Sequence, residues 1–138
     1  MNNLEKNKET VKRFNREVIE QGNLNSFNEI MGNGFVNRTA APNVSGGSDG
    51  MWHMLHNILR PAFPDLVVEI YDQIAEGDKV TTRKAIMGTH TGTLMGIPPT
   101  NRKIRIDVID IVRVQDGKYM EHWGLNTLQT LIAELKSV

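Results

Sequence analysis

A chain of 138 residues with 16 basic and 16 acidic side chains has no charge excess to draw it to nucleic acid, and its 39% hydrophobic content excludes a disordered or fibrous protein. The length suits one domain with one core over residues 1–138 and is short for two. With no cysteine the chain has no disulfide, thiol nucleophile or thiolate metal site; it fits a cytoplasmic setting, and no apolar run approaches the roughly 20 residues that span a bilayer.

In chain order, Leu4, Val11, Phe14, Val18 and Ile19 recur at helical intervals among charged neighbours, which predicts an amphipathic helix from Leu4 to Gln21 with a stop at Gly22-Asn23. A shorter helix is predicted around Leu24 to Met31. Gly32-Asn33-Gly34 breaks the chain, and FVNRT reads as a short strand. APNVSGGSDG is a loop by composition, with Ser48 or Asp49 expected to cap a third helix that starts near Met51 and is kinked or ended by Pro61. That helix is apolar almost all round, so burial on more than one side is expected.

From Leu66 the period changes. LVVEIYDQIAE, KVTTRKAIMGTHTG, KIRIDVIDIVRV and KYMEHWGL are rich in β-branched and aromatic residues and are separated by turn signals, which predicts a four-stranded antiparallel meander. Leu128, Leu131, Ile132 and Leu135 mark a closing amphipathic helix. Helices first and a sheet afterward give the α+β class, with helices covering one face of a curved sheet.

One letter in IRIDVIDIVRV is out of pattern. Ile104, Ile106, Val108, Val112 and Val114 share one face of the strand, and Asp110 lies among them. A buried carboxylate needs a partner. If Asp116-Gly117 is a two-residue turn, Asp110 falls opposite Trp123; if Gln115-Asp116-Gly117 is a three-residue turn with a bulge, it falls opposite His122, with Met120 and Gly124 on the same inner face. The second register is preferred because it pairs an acid with an imidazole, an arrangement suited to proton transfer. The competing reading is structural, with Asp110 satisfied by backbone groups or water.

Trp52 and His56 lie one turn apart on the third helix and can face a pocket or fill core, as can Leu55 and Leu59. The methionines, Met120 among them, can line an adaptable pocket or simply fill space. The four histidines match no metal-ligand pattern, so no metal is expected. Ile109, Ile111, Tyr119 and Trp123 are expected to form an apolar patch on the outer sheet face, which a second subunit would cover; a homodimer or higher homo-oligomer is expected.

The stretch GTHTGTLMGIPPTNRKIRIDVIDIVRVQDGKYMEHWG, with FVNRT and LRPAFPDL upstream, resembles the SnoaL-like polyketide cyclases, also called SnoaL-like ester cyclases. The resemblance implies a cone-shaped α+β barrel of the nuclear-transport-factor-2-like type, a curved antiparallel sheet with helices on its concave face, and an apolar pocket. It implies an intramolecular aldol cyclisation without metal or cofactor, driven by an aspartate. At the position of that aspartate this chain has Gly124, next but one after His122; a second family histidine maps to Asp110, and Asn37 and His90 match family positions. The expected protein binds a small apolar carbonyl compound and has Asp110 and His122 as its acid–base pair, with Asn37, Trp52, His90 and Met120 toward substrate. The alternative is a non-catalytic small-molecule-binding domain of the same fold.

Overall fold

The computed structural model describes residues 2–137. The first helix is α-helical over Asn3–Arg13 and continues as a π-helical stretch, Phe14–Glu20. Asn2 caps it, its side-chain oxygen accepting the Glu5 N–H at 2.8 Å. At the other end Gly22 takes the left-handed conformation, φ +65°, and the Arg60 guanidinium donates to the carbonyls of Ile19, at 3.2 Å, and Glu20. These are acceptors that a helix end leaves open. A Cβ at Gly22 would sit 2.6 Å from Arg60 Nε, so only glycine admits this cap.

A second helix, Leu24–Ile30, is capped by Asn23. The third runs through Ser48–Trp52, a π-helical stretch His53–Leu59 and a last turn Arg60–Ala62. Pro61 therefore lies inside its final turn, and the widened π-helical turns lie just upstream of the missing proline N–H. Neither Ser48 nor Asp49 caps this helix. Gly47 holds the cap position, and Asp49 accepts from the Ser45 hydroxyl at 2.7 Å.

The sheet has five strands, β1 (Met31–Asn37), β2 (Val67–Glu76), β3 (Lys79–Thr89), β4 (Lys103–Gln115) and β5 (Lys118–Asn126), in the order β1-β5-β4-β3-β2. The last four form the expected antiparallel meander. β1 joins its edge parallel to β5, which makes the sheet mixed; the strand begins at Met31 and runs through Gly32-Asn33-Gly34, expected as a break, and ends at Asn37, two residues short of the end of FVNRT. Helices cover the inner face of this curved sheet, and the closing helix Leu128–Lys136 follows β5 directly, so the architecture is α+β.

The β4–β5 pairing corrects both registers read from the sequence. Asp116 and Gly117 have φ +50° and +74°, a two-residue turn that sets Gln115 opposite Lys118 and Val114 opposite Tyr119. A bulge at Met120 then shifts the ladder, so that Val112 faces His122, Ile111 faces Trp123 and Asp110 faces Gly124. The extra residue is absorbed after the turn rather than in it. Tyr119 consequently points inward, 2% exposed and stacked on Phe14 at 4.5 Å, and is not part of the outer patch.

The inward residues of β3, β4 and β5, among them Val80, Ile86, Ile104, Ile106, Val112 and Tyr119, meet Val11, Phe14 and Val18 of the first helix and Phe63 beyond the third. Each such side chain contributes roughly 1.5–3 kcal/mol by leaving water. The outer face keeps Ile74, Ile109, Ile111 and Leu125 exposed. Among the described residues no helix is long and apolar enough to cross a membrane.

Candidate functional site

Between the concave face of the sheet and the helices lies a cavity of about 290 Å³, near the small end of ligand pockets. The first helix contributes Phe14 and Ile19 to its wall, and the third helix Met51, Met54, Leu55 and Leu59. Ile86, Ile106 and Val108 come from the sheet. Into this mostly apolar wall β3, β4 and β5 send Lys84, Asp110 and His122.

These three are wired together. Asp110 Oδ2 lies 3.4 Å from Lys84 Nζ and 3.4 Å from His122 Nε2, while Oδ1 is buried with no protein partner. At that distance neither contact is a tight hydrogen bond, and Lys84 with Asp110 forms a buried ion pair. Lys84 Nζ also donates to Asn15 Oδ1 at 2.6 Å, and Asn15 Nδ2 donates to the Val11 carbonyl at 2.8 Å. On the far side the His122 Nδ1 meets Asn37 Oδ1 at 3.0 Å.

The side chains of Lys84 and Asp110 are 5% and 6% exposed. Burial alone would raise the Asp110 pKa, but the Lys84 charge and the His122 ring outweigh it and leave it below the ordinary carboxylate value. Asp110 is therefore a carboxylate, not a neutral hydrogen-bond donor. Burial, followed by the Asp110 charge, pushes the Tyr119 phenol well above its usual value, so it stays neutral beside the cluster.

Of the six residues singled out in the sequence, Asp110, His122 and Asn37 come together on the cavity wall. Trp52, His90 and Met120 do not. Trp52 stacks on His56 at 4.5 Å and packs on Phe27 at 5.0 Å, because the third helix turns Met51, Met54 and Leu55 inward instead. His90 is fully buried beneath the loop after β3, where its Nδ1 accepts the Thr100 N–H at 3.3 Å. It holds that loop rather than a ligand. Met120 is the bulge residue, and its sulfur lies over Gly32, where a Cβ would approach it to 2.4 Å.

Lys84 and Asn15 are missing from the sequence reading, yet a signal for each exists. Lys84 alternates with Val80, Thr82 and Ile86, so the rule that exposes Asp110 in β4 applies equally to β3. Asn15 lies one helical turn from Val11 and Val18 on the apolar stripe. Gly124 has a geometric role as well: a Cβ there would come within 2.8 Å of His122 Cε1, so the glycine leaves the space into which the ring leans. Among the described residues no cluster of His, Asp or Glu has the geometry of a metal site.

The α+β sheet is cupped over helices around a mostly apolar cavity with the Lys84–Asp110 ion pair on its wall. The chain belongs to the SnoaL-like polyketide cyclase family, whose model matches residues 9–135. It is 37% identical over 46 residues to the aklanonic acid methyl ester cyclase DnrD of Streptomyces peucetius, a match that spans 33% of this chain and 32% of that relative. The chain thus spans about a third of this curated relative's length. Among solved structures, IdmH of Streptomyces antibioticus superposes with a TM-score of 0.79 at 27% identity, covering 94% of this chain and 98% of its own. AclR of Streptomyces galilaeus superposes with a TM-score of 0.84 at 24% identity, covering 98% and 83%, and shares the fold.

Proposed function

We propose that the protein carries out acid–base chemistry on a small, largely apolar carbonyl compound, an intramolecular aldol cyclisation or an isomerisation, using side chains alone. The observation that carries this reading is the Asp110–His122 contact at 3.4 Å on the cavity wall, with the ring steadied by Asn37 at 3.0 Å. The Asp110 carboxylate takes a proton from the carbon beside a carbonyl, leaving an enolate. In a cyclisation the enolate carbon bonds to a second carbonyl of the same molecule, and the resulting alkoxide receives its proton from His122. In an isomerisation the proton returns to a different carbon. Neither course needs an oxidant or a co-reactant.

The family membership and the cyclase relatives support this reading. Gly124 favours a second one, a binding domain without turnover, because the resemblance places the family's aspartate there. An apolar, enolisable ketone, 2-tetralone, separates the two when hydrogen–deuterium exchange at its α-carbon is followed by NMR. Turnover predicts exchange at least tenfold above buffer, lost in Asp110→Asn and reduced in His122→Gln, the milder substitution should Asp110→Asn fold poorly. Binding with no exchange in the wild type leaves the binding domain.

A homodimer is part of the same proposal, with exposed Ile74, Ile109, Ile111 and Leu125 as the contact face. So is a cytoplasmic location, which suits a chain without cysteine.

A further inference from the structure

Lys84 and Asp110 balance each other, one positive charge beside one negative, and both line the cavity. Of the Asp110 oxygens, Oδ2 meets Lys84 Nζ and His122 Nε2, and Oδ1 has no partner. A bare carboxylate oxygen accepts a proton or a hydrogen bond, so the site at rest calls for a neutral molecule with a hydrogen to give. Lys84 has capacity left as well. Its ammonium carries three N–H groups, and among the described residues only Asn15 Oδ1, at 2.6 Å, and Asp110 Oδ2 receive them.

The balance shifts once Asp110 acts as a base. Taking a proton from the carbon beside a carbonyl leaves the Asp110 carboxyl neutral, and the electron pair of the broken C–H bond moves onto the carbonyl oxygen, two bonds away. Lys84, only 5% exposed, would then be a buried ammonium without a counter-charge, which is unfavourable. The enolate oxygen supplies that counter-charge. With Lys84 Nζ and Asp110 Oδ2 3.4 Å apart, one small molecule can offer its C–H to the acid and its carbonyl oxygen to the ammonium. Asn15 steadies Nζ meanwhile, because its Nδ2 donates to the Val11 carbonyl and its Oδ1 stays turned to Lys84.

We infer that Lys84 is a catalytic residue of this site: its ammonium, paired with Asp110 at rest, receives the carbonyl oxygen of a neutral ligand and stabilises the enolate as Asp110 takes the proton. This rests on the acid–base reading proposed above and deepens it. The net charge of the wall is the same before and after the transfer, so no charge is created in an apolar setting; it moves from one oxygen to another beside a fixed cation. A cation placed where charge develops lowers the barrier more than it strengthens binding of the neutral ligand. When the proton returns to carbon, Lys84 and Asp110 pair again.

The probe is 2-tetralone, its α-proton exchange followed by NMR at several concentrations from pH 6 to pH 9 with the full chain. In Lys84→Met, kcat for exchange should fall about a hundredfold at every pH while KM changes less than about threefold. Recovery of the wild-type kcat toward pH 9 would mean that Lys84 serves only to keep Asp110 ionised, and overturns the inference. Lys84→Gln is the second variant should Lys84→Met not fold, with the same persistent loss expected. A measurement without turnover uses 2-naphthol, whose ionised form has the shape of the enolate, with Asp110→Asn standing in for the protonated acid. Bound to that variant, 2-naphthol should ionise at least one pH unit below its midpoint in water, read from the longer-wavelength absorption of naphtholate, and the shift should vanish when Lys84→Met is added. No shift in Asp110→Asn overturns the inference. Absence of exchange in the wild type sinks the acid–base reading together with this one, whereas wild-type exchange that Lys84→Met leaves intact sinks this one alone.

Discussion

Asp110 is a charged residue in an apolar row, and the alternation of β4 alone identifies it. Its consequence depends on Gly124, which no periodicity singles out. With only hydrogen at position 124, the His122 ring leans over the neighbouring strand until Nε2 reaches Asp110; a methyl group would meet Cε1 at 2.8 Å. Gly124→Ala is therefore expected to swing the ring away from Asp110. Because a ring on a rotatable bond yields more easily than backbone, the cost in stability should stay under about 1.5 kcal/mol. Exchange of 2-tetralone α-protons should drop at least tenfold. A variant with the wild-type exchange rate would show that the acid–base pair does not need this contact.

Between elements, the buried cluster works as a tie. Asn15 comes from the first helix, Lys84 from β3, Asp110 from β4, His122 from β5 and Asn37 from β1, and each is within hydrogen-bond or ion-pair distance of the next. Removing one member strands a charge, so Asp110→Asn is expected to cost about 3–5 kcal/mol near neutral pH. The sign of its pH dependence follows from the lowered Asp110 pKa. The ionised acid stabilises the fold above the ordinary carboxylate value of 3.8, and that contribution disappears as pH falls through the lower folded value. Denaturant unfolding should show the gap between wild type and Asp110→Asn narrowing below about pH 5. A gap constant down to pH 2 would mean the carboxylate is not held ionised by its neighbours.

Over the whole molecule, the curved sheet has one face filled by helices and one left to solvent. On the solvent face Lys79 lies over the Trp123 ring at 5.6 Å and Arg83 over Tyr71 at 4.9 Å, so the chain's own cations cover its outer aromatics. They leave the aliphatic residues bare: Ile74 is 71% and Leu125 79% exposed. Sedimentation is expected to give twice the 15.5 kDa chain mass. Ile109→Glu combined with Leu125→Glu should return it to monomer without loss of probe binding. A monomeric wild type would discard the dimer.

The sequence by itself determined the α+β class, the order of helices and strands, the four-stranded meander and the presence of an acid on a buried face, because these depend on local period and turn residues. Only the tertiary structure decided which groups meet that acid. The bulge at Met120 moves every later β5 residue by one pair, a shift that turn residues alone do not specify when two loop lengths fit the same letters. Lys84 reaches Asp110 from another strand, and Asn15 meets Lys84 across 69 positions of sequence, while Trp52 and His90 are turned elsewhere by the phase of the third helix and the closure of a loop. Register, helix phase and long-range contact are set by how the layers pack. Packing is the sum of interactions between residues far apart in the chain, so the identity of the site's partners emerges only when the sheet curls over its helices.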